Sequence, residues 1–483
     1  MKKFSMAKYV AAAALFGLAF FTACGDDSSS ANSEKSESDA ALEELKTAHR
    51  WLGLRYIYGT LRNEFNEDVN VYVGKGTEAD SKNKFDQPSC TEAYYDVCYM
   101  FNQMSDPYTR YFDPTYAPEQ IEKAFSPEAE TMFLGAEVAL YDEEKLLIEV
   151  TEAKADAKED ELQVGDIFYA KDVSAYTLNL TPGDTVDLTF NVTRGKGDDA
   201  VKVEVHARAV KEKRPTVRLH YENTESGDSI PVIRITEFDV ITEGDGGTYE
   251  EFARALEQTS GSKSLILDLR DNGGGDTEHC SKASAEFLSK GDTVVIDLDA
   301  QVYINTMNDS LFQKIDTTVY VAEKDGVAKD RYVVMLANNY SASCAEIMLS
   351  AIASNRKFPI VGKLTYGKQI GQYLIFDYGD NDPDLDYIKG FAYITGLVGY
   401  DKDWKLYHDV GIVPDYDISD RQEQMKKAVE LAVEATEMRT AGYGTEKLGH
   451  FAKASKLPGM PFGDVKLRYK RVNGVMPRNM NKR

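Results

Sequence analysis

Cations are scarce in this chain: Lys and Arg total 56 against 80 Asp and Glu, a formal charge of −24. Phosphate backbones are bound through clustered cations, so this balance excludes a nucleic-acid-binding protein. Histidine is sparse as well. None of His49, His206, His220, His279, His408 and His450 lies at metal-ligand spacing, and both a His-Glu-x-x-His helix and a phosphate loop ending Gly-Lys-Ser/Thr are lacking. No metal and no organic cofactor is therefore expected. There is no solenoid repeat and no heptad run. With 42% hydrophobic positions over 483 residues, about three domains with ordinary cores are expected.

The apolar run over residues 11–21 is too short to span a bilayer and stay. It follows Lys2, Lys3 and Lys8 with no acid before it, which reads as a secretion signal over residues 1–23. The run ends Phe21-Thr22-Ala23-Cys24 and resembles a bacterial lipoprotein signal, which implies acylation of Cys24 after cleavage. A polar tether over residues 24–40, beginning Gly25-Asp26-Asp27-Ser28, follows at once. Attachment of so acidic a protein to an anionic membrane surface rests on the acyl chains, giving a lipid-anchored protein of the cell envelope. Cys90, Cys98, Cys280 and Cys344 remain. Tyr94, Cys98 and Phe101 fall at helical spacing, and eight residues of helix separate two Cα atoms by about 12 Å, beyond disulfide reach. Buried free thiols are expected.

Residues 41–126 carry a helical stripe, Leu42, Leu45, Ala48, Leu52 and Tyr56, and predict a small helical N-terminal domain. Residues 130–212 change to short strands with turn signals, among them Val186-Asp187-Leu188-Thr189-Phe190. Residues 213–440 alternate apolar strands with helices, and residues 441–483 form a basic tail that can dock on the acidic body or on a partner. The class is α+β, multidomain.

Three segments place polar groups where a strand meets a loop. In the first, the apolar run 265–269 passes through Arg270-Asp271-Asn272 into Gly273-Gly274-Gly275, whose N–H groups can face a developing oxyanion without a Cβ in the way. In the second, the strand 333–337 leads to Asn338-Asn339-Tyr340-Ser341-Ala342-Ser343-Cys344-Ala345-Glu346. Ser343 with Glu346 makes a capping box; the helix N-terminus would equally stabilise an alkoxide at Ser343. In the third, a strand from Lys368 would put Lys368, Ile370, Gln372 and Leu374 on one face. A lysine desolvated there has a lowered pKa and can take a serine proton, with the Gln372 amide orienting its amine.

Together and in this order the segments resemble the C-terminal processing peptidases, or tail-specific proteases. Asp-Leu-Arg-x-Asn-x-Gly-Gly is matched over residues 268–275, Ser-Ala-Ser-x-x-Glu over 341–346, and Phe/Tyr-Gly-Lys-x-x-x-Gln over 366–372. The resemblance implies Ser343 as nucleophile, Lys368 as general base and Gln372 as the residue holding the lysine, with N–H groups of Gly274, Gly275 and Cys344 in the oxyanion hole. It implies a ClpP/crotonase-like ββα superhelix as the catalytic core. Asp106-Pro107-Tyr108-Thr109-Arg110-Tyr111 resembles the end of that family's helical N-terminal domain, and Phe133-Leu134-Gly135-Ala136 resembles the start of its PDZ domain. That likeness implies capture of free C-termini at Leu134, Gly135 and Ala136 by strand addition. Cys344 stands where the family usually has a small residue such as Ala, and Ser354 where some members carry an acid.

The expected function is a serine endopeptidase acting on envelope proteins or peptides near their C-termini through a Ser-Lys acyl-enzyme. Two rivals remain: a Ser343–His279 hydrolase, since His279 follows the glycine loop, and a catalytically inactive PDZ-containing peptide-binding or adaptor lipoprotein.

Overall fold

The computed structural model describes residues 37–440 and 467–472, except 126–129, 143–144, 155, 178–179, 181–182, 196, 225–226, 228, 243–245, 309 and 378–388. The expected signal, Cys24, most of the tether and most of the basic tail lie outside the described residues.

Helices α1 (Glu37–Arg55), α2 (Ile57–Arg62) and α3 (Tyr95–Asn102) lead through strand β1 (Arg110–Phe112) to α4 (Ala117–Phe125). A β-rich unit follows: β2 (Glu130–Phe133), β3 (Glu137–Asp142), β4 (Leu147–Glu152), β5 (Ile167–Tyr169), helix α5 (Lys171–Thr177), β6 (Thr185–Arg194) and β7 (Val201–Lys213). Next come β8 (Val217–Asn223), β9 (Ser229–Ile235), α6 (Gly247–Gln258), β10 (Ser264–Asp268), α7 (Thr277–Ala285), β11 (Thr293–Ile304), β12 (Leu311–Ala322) and β13 (Tyr332–Ala337). The chain continues with α8 (Cys344–Arg356), β14 (Ile360–Gly362), β15 (Ile370–Asp377), β16 (Gly390–Tyr400), β17 (Tyr416–Asp417) and α9 (Arg421–Thr440), and β18 (Leu467–Val472) lies within the basic tail. The result is a mixed α/β structure.

One six-stranded sheet runs β17-β14-β13-β10-β9-β8, parallel except for the antiparallel edge pair β8/β9. Its central strands are apolar without alternation, and every residue of β10 and β13 is buried, as strands covered on both faces require. Helices cover them: α9 lies against β10 and β13, α6 against β8 and β9, and α7 packs on α8. Phe252, Phe287, Met348 and Phe358 fill the space between.

A second sheet runs β1-β16-β11-β12-β18, with β15 also on β16. Its β1/β16 pairing sets Arg110 opposite Tyr393, and β18 adds six residues of the basic tail parallel to β12. The N-terminal helices share an apolar cluster with this sheet: Leu45, Leu52, Phe101 and Tyr111 pack with Ile296, Leu298 and Ile394. The third sheet, β2-β7-β6-β5-β4-β3, is antiparallel and encloses its own core of Val150, Phe168, Phe190 and Val205. The buried Asp166 carboxylate accepts two 2.8 Å bonds from Arg194, and β3 is left as an edge strand.

The cysteines correct one expectation. Cys90 and Cys98 are joined in a disulfide, with Cα atoms 6.2 Å apart. The helix expected across both begins only at Tyr95, after a single 3₁₀ turn over Glu92–Tyr94, and the chain bends back between them. Cys280 and Cys344 are free and buried, as expected. Because the bridge closes a short loop, replacing Cys90 and Cys98 together with Ser should cost about 2–3 kcal/mol. Urea unfolding of the full chain measures this, and an unchanged midpoint would show that the bridge contributes nothing.

Candidate active site

Three neighbouring parallel strands end at the same edge of their sheet. β10 runs out into the glycine loop, β13 into the turn bearing Ser343, and β14 into the segment bearing Lys368. In open α/β sheets this carboxyl edge is where ligands bind.

Ser343 sits between buried Ala342 and buried Cys344 but is itself partly exposed. Its backbone, at φ 54° and ψ −116°, is costly for a residue with a Cβ and persists only where the surroundings enforce it. They do. Ser341 Oγ donates to Leu269 O at 2.7 Å, Ala342 N donates to Asn272 O at 2.9 Å, and Tyr366 N donates to Ser341 O at 3.0 Å. The turn is tied in this way to both neighbouring loops, and the strain presents the hydroxyl at the mouth of α8.

The glycine loop lies directly against this turn. A Cβ on Gly274, at φ +109°, would stand 2.7 Å from Ser343 Cβ and 3.0 Å from Cys344 N. Nothing larger than glycine fits. The two glycines differ in what their N–H groups do. That of Gly274 donates to Asn272 Oδ1 at 2.8 Å, so it is committed within the loop and not offered to a substrate. Gly275 is exposed, its N–H faces no described acceptor, and neither does that of Cys344. Of the expected donors, Gly275 and Cys344 are therefore the pair left open.

Charge braces the loop from behind. Asp268 is fully buried; burial raises its pKa, but Arg270 and Arg234 outweigh that and hold it well below the carboxylate range. Asp271 accepts from Arg421 at 2.5 Å, from Arg234 at 3.2 Å and from Asn338 Nδ2 at 2.7 Å.

Glu346, expected only as part of a helix cap, joins the other two segments. Its buried carboxylate accepts from Ser343 N at 3.0 Å, Thr365 Oγ1 at 2.5 Å, Gly367 N at 2.7 Å and Lys368 N at 2.7 Å. Burial raises its pKa, and these donors work against the rise. Lys368 is thereby fastened beside the Ser343 turn. Its Nζ lies 4.7 Å from the centre of the Tyr108 ring, and Tyr108 Oη is 3.3 Å from Tyr366 Oη. Burial lowers the Lys368 pKa and the Arg110 guanidinium lowers it further, against opposing contributions from Cys344 and Glu346.

Gln372 departs from its expected arrangement. β15 starts at Ile370, two residues past Lys368; the extra residue at the register shift, Gly396, lies on β16, and Gln372 makes no described bond to Lys368. Its Nε2 instead donates to Thr395 Oγ1 at 3.3 Å, which in turn donates to Asp106 Oδ1 at 2.8 Å. Leu134 and Ala136 point into the core of the third sheet, and Gly135 makes the turn between β2 and β3 at φ +78°. His279 is buried and accepts the Tyr249 N–H on Nδ1 at 3.0 Å; neither His279 nor Lys368 makes a described side-chain bond to Ser343. Among the described residues no three His, Cys, Asp or Glu side chains converge to hold a metal ion.

Residues 229–418 match the model of peptidase family S41. Over 279 residues the chain is 28% identical to a carboxy-terminal processing protease CtpA of Bacillus subtilis, covering 56% of this chain and 53% of that protein. A CtpA-like serine protease of Staphylococcus haemolyticus is 25% identical over 326 residues, 66% of this chain and 56% of that one. The chain spans little more than half the length of these curated relatives. Among solved structures, a photosystem II D1 C-terminal processing protease aligns with a TM-score of 0.47 at 16% identity, over 83% of this chain and 100% of the other.

Replacing Glu346 with Ala deprives three backbone N–H groups and the Thr365 hydroxyl of their acceptor. A loss of about 3 kcal/mol or more in urea unfolding is expected. A loss below about 1 kcal/mol would mean that water replaces the carboxylate.

Proposed function

For a chain that carries a peptidase family S41 domain over residues 229–418, we infer a serine endopeptidase of the C-terminal processing type that works through Ser343 and Lys368. The observation that carries this reading is the Glu346 carboxylate, which fastens the strained Ser343 turn and the desolvated Lys368 segment together. Ser343 Oγ attacks a peptide carbonyl as the neutral Lys368 amine accepts its proton. The oxyanion is held by the N–H groups of Gly275 and Cys344 at the N-terminus of α8, where the helix dipole favours negative charge. Lys368 returns the proton to the leaving amine, and water releases the acyl group. Gln372 would bear on Lys368 through Thr395, Asp106 and the turn that sets the Tyr108 ring on the lysine.

The parallel sheet with its covering helices would form the ClpP/crotonase-like core, the N-terminal helices their own unit against the second sheet, and the β2–β7 unit the PDZ-like domain. The free edge of β3 suits addition of an extended C-terminus, with the backbone around Gly135 receiving the terminal carboxylate. Cys24 would carry the lipid that holds the enzyme at the cell envelope. Among the described residues no helix is long and apolar enough to cross a membrane.

The test uses the detergent-solubilised full chain and an unfolded protein with an apolar C-terminus. Ser343→Ala and Lys368→Ala should each reduce cleavage at least about 1,000-fold. Gly274→Ala, which drives a Cβ onto Ser343, should reduce it about 100-fold. Because Lys368 must be neutral, the rate should rise with pH through an apparent pKa below the ordinary lysine value of 10.5. Cleavage that survives Ser343→Ala would overturn the reading. A Lys368→Ala protein as active as the parent would remove the lysine from its role, and a full chain that binds peptides without cutting them would be an adaptor.

A further inference from the structure

The segment Asp106–Tyr111 lies far from Ser343 and Lys368 in sequence, yet the fold brings it to the lysine. Asp106 Oδ1 accepts from Tyr108 N and Thr109 N, fixing a tight turn, and Thr109 Oγ1 accepts from Thr395 N. The turn sets the Tyr108 ring against Lys368 Nζ. Two residues on, in β1, Arg110 enters the same ring cluster. Its guanidinium lies 4.5 Å from the Tyr393 ring centre, 5.0 Å from that of Phe85 and 6.0 Å from that of Phe112, and Phe85 in turn packs 5.6 Å from Tyr108.

No carboxylate pairs with Arg110 among the described residues, and its Nε is buried with no hydrogen-bond partner. Its polar partner is the Tyr393 hydroxyl. A cation kept among rings without a counter-ion is costly, and its field is felt by charges nearby. Phe85 links Arg110 to the Tyr108 ring that holds Lys368 Nζ, so the two cations share one ring cluster.

Resting on the Ser343–Lys368 reading, we propose that Arg110 is a positioning residue for the reaction: its ring-held charge opposes protonation of Lys368 and so keeps the base ready. The other groups facing Lys368 are the Tyr108 ring, the Tyr366 hydroxyl that meets Tyr108, the Cys344 thiol and the Glu346 carboxylate, with His408 and Asp409 behind Gly367 O. None of these carries a fixed positive charge. Burial of Lys368 acts in the same direction, while Glu346 favours the ammonium form. The N-terminal segment on this account completes the active site and does more than cover it.

Removing the charge raises the Lys368 pKa, so activity at neutral pH falls and returns at higher pH. In the full chain, Arg110→Met and Arg110→Gln should move the rising limb of the kcat/KM profile upward by about one pH unit. Arg110→Lys, which keeps the charge, should leave the limb within a few tenths. Arg110→Gln retains a donor for Tyr393 and covers the case in which the Met variant does not fold. The second readout is independent of cleavage. The Nζ of Lys368, reductively ¹³C-dimethylated and assigned by its absence in Lys368→Arg, is titrated by NMR in the Ser343→Ala background. An upward shift of about one unit on losing the Arg110 charge supports the proposal even if the chain proves not to cut peptides. Lower activity with an unmoved limb and an unmoved NMR titration would overturn it and leave Arg110 a packing residue.

Discussion

The buried carboxylate of Glu346 is the contact on which the site depends. Removing a charge from water is expensive unless hydrogen bonds replace the lost hydration. Here Ser343 N, Gly367 N, Lys368 N and Thr365 Oγ1 supply them, and all come from the two segments that must meet. The carboxylate is satisfied only when both segments are in place. Its burial therefore couples the Ser343 turn to the Lys368 loop, so that a folding requirement fixes the position of one segment against the other.

The remaining geometry follows from the order of strands. Because β10, β13 and β14 are parallel neighbours, their ends are adjacent, and the loops leaving them are cross-linked by Ala342 N to Asn272 O and by Tyr366 N to Ser341 O. Glycine is required at position 274 because the loop passes within contact of the Ser343 side chain. Behind the loop, Arg234, Arg270 and Arg421 share Asp268 and Asp271, so its position is set by charge as well as by packing. The Tyr108 ring meets Lys368 from the turn just before β1, a strand held by its antiparallel pairing with β16.

Much of this was legible in the sequence, and the failures have physical causes. β10 and β13 were readable because a strand covered on both faces is an unbroken apolar run, and each is followed at once by glycines or polar turn residues. Ser343 and Lys368 were singled out from what surrounds them. The Cys90–Cys98 bridge was missed because Tyr94, Cys98 and Phe101 continue a helical period beyond the real start of the helix at Tyr95. The bond of Gln372 to Thr395, and through it to Asp106, joins residues on separate strands and loops and has no mark in local periodicity. That Gly274 spends its N–H on Asn272 Oδ1 is a local turn with no sequence mark. The motif around Tyr108 was visible, but its meeting with Lys368 joins residues more than 250 apart and needed the fold.

The central claim is that Ser343 is a nucleophile activated by Lys368, and covalent trapping addresses it without a known substrate. The full chain is incubated with a serine-reactive fluorophosphonate, digested, and its adducts located by mass spectrometry. The account predicts a single adduct on the peptide containing Ser343, forming faster as pH rises and failing to form in Lys368→Ala. Labelling at another serine, or labelling of Ser343 at the same rate without Lys368, would contradict it.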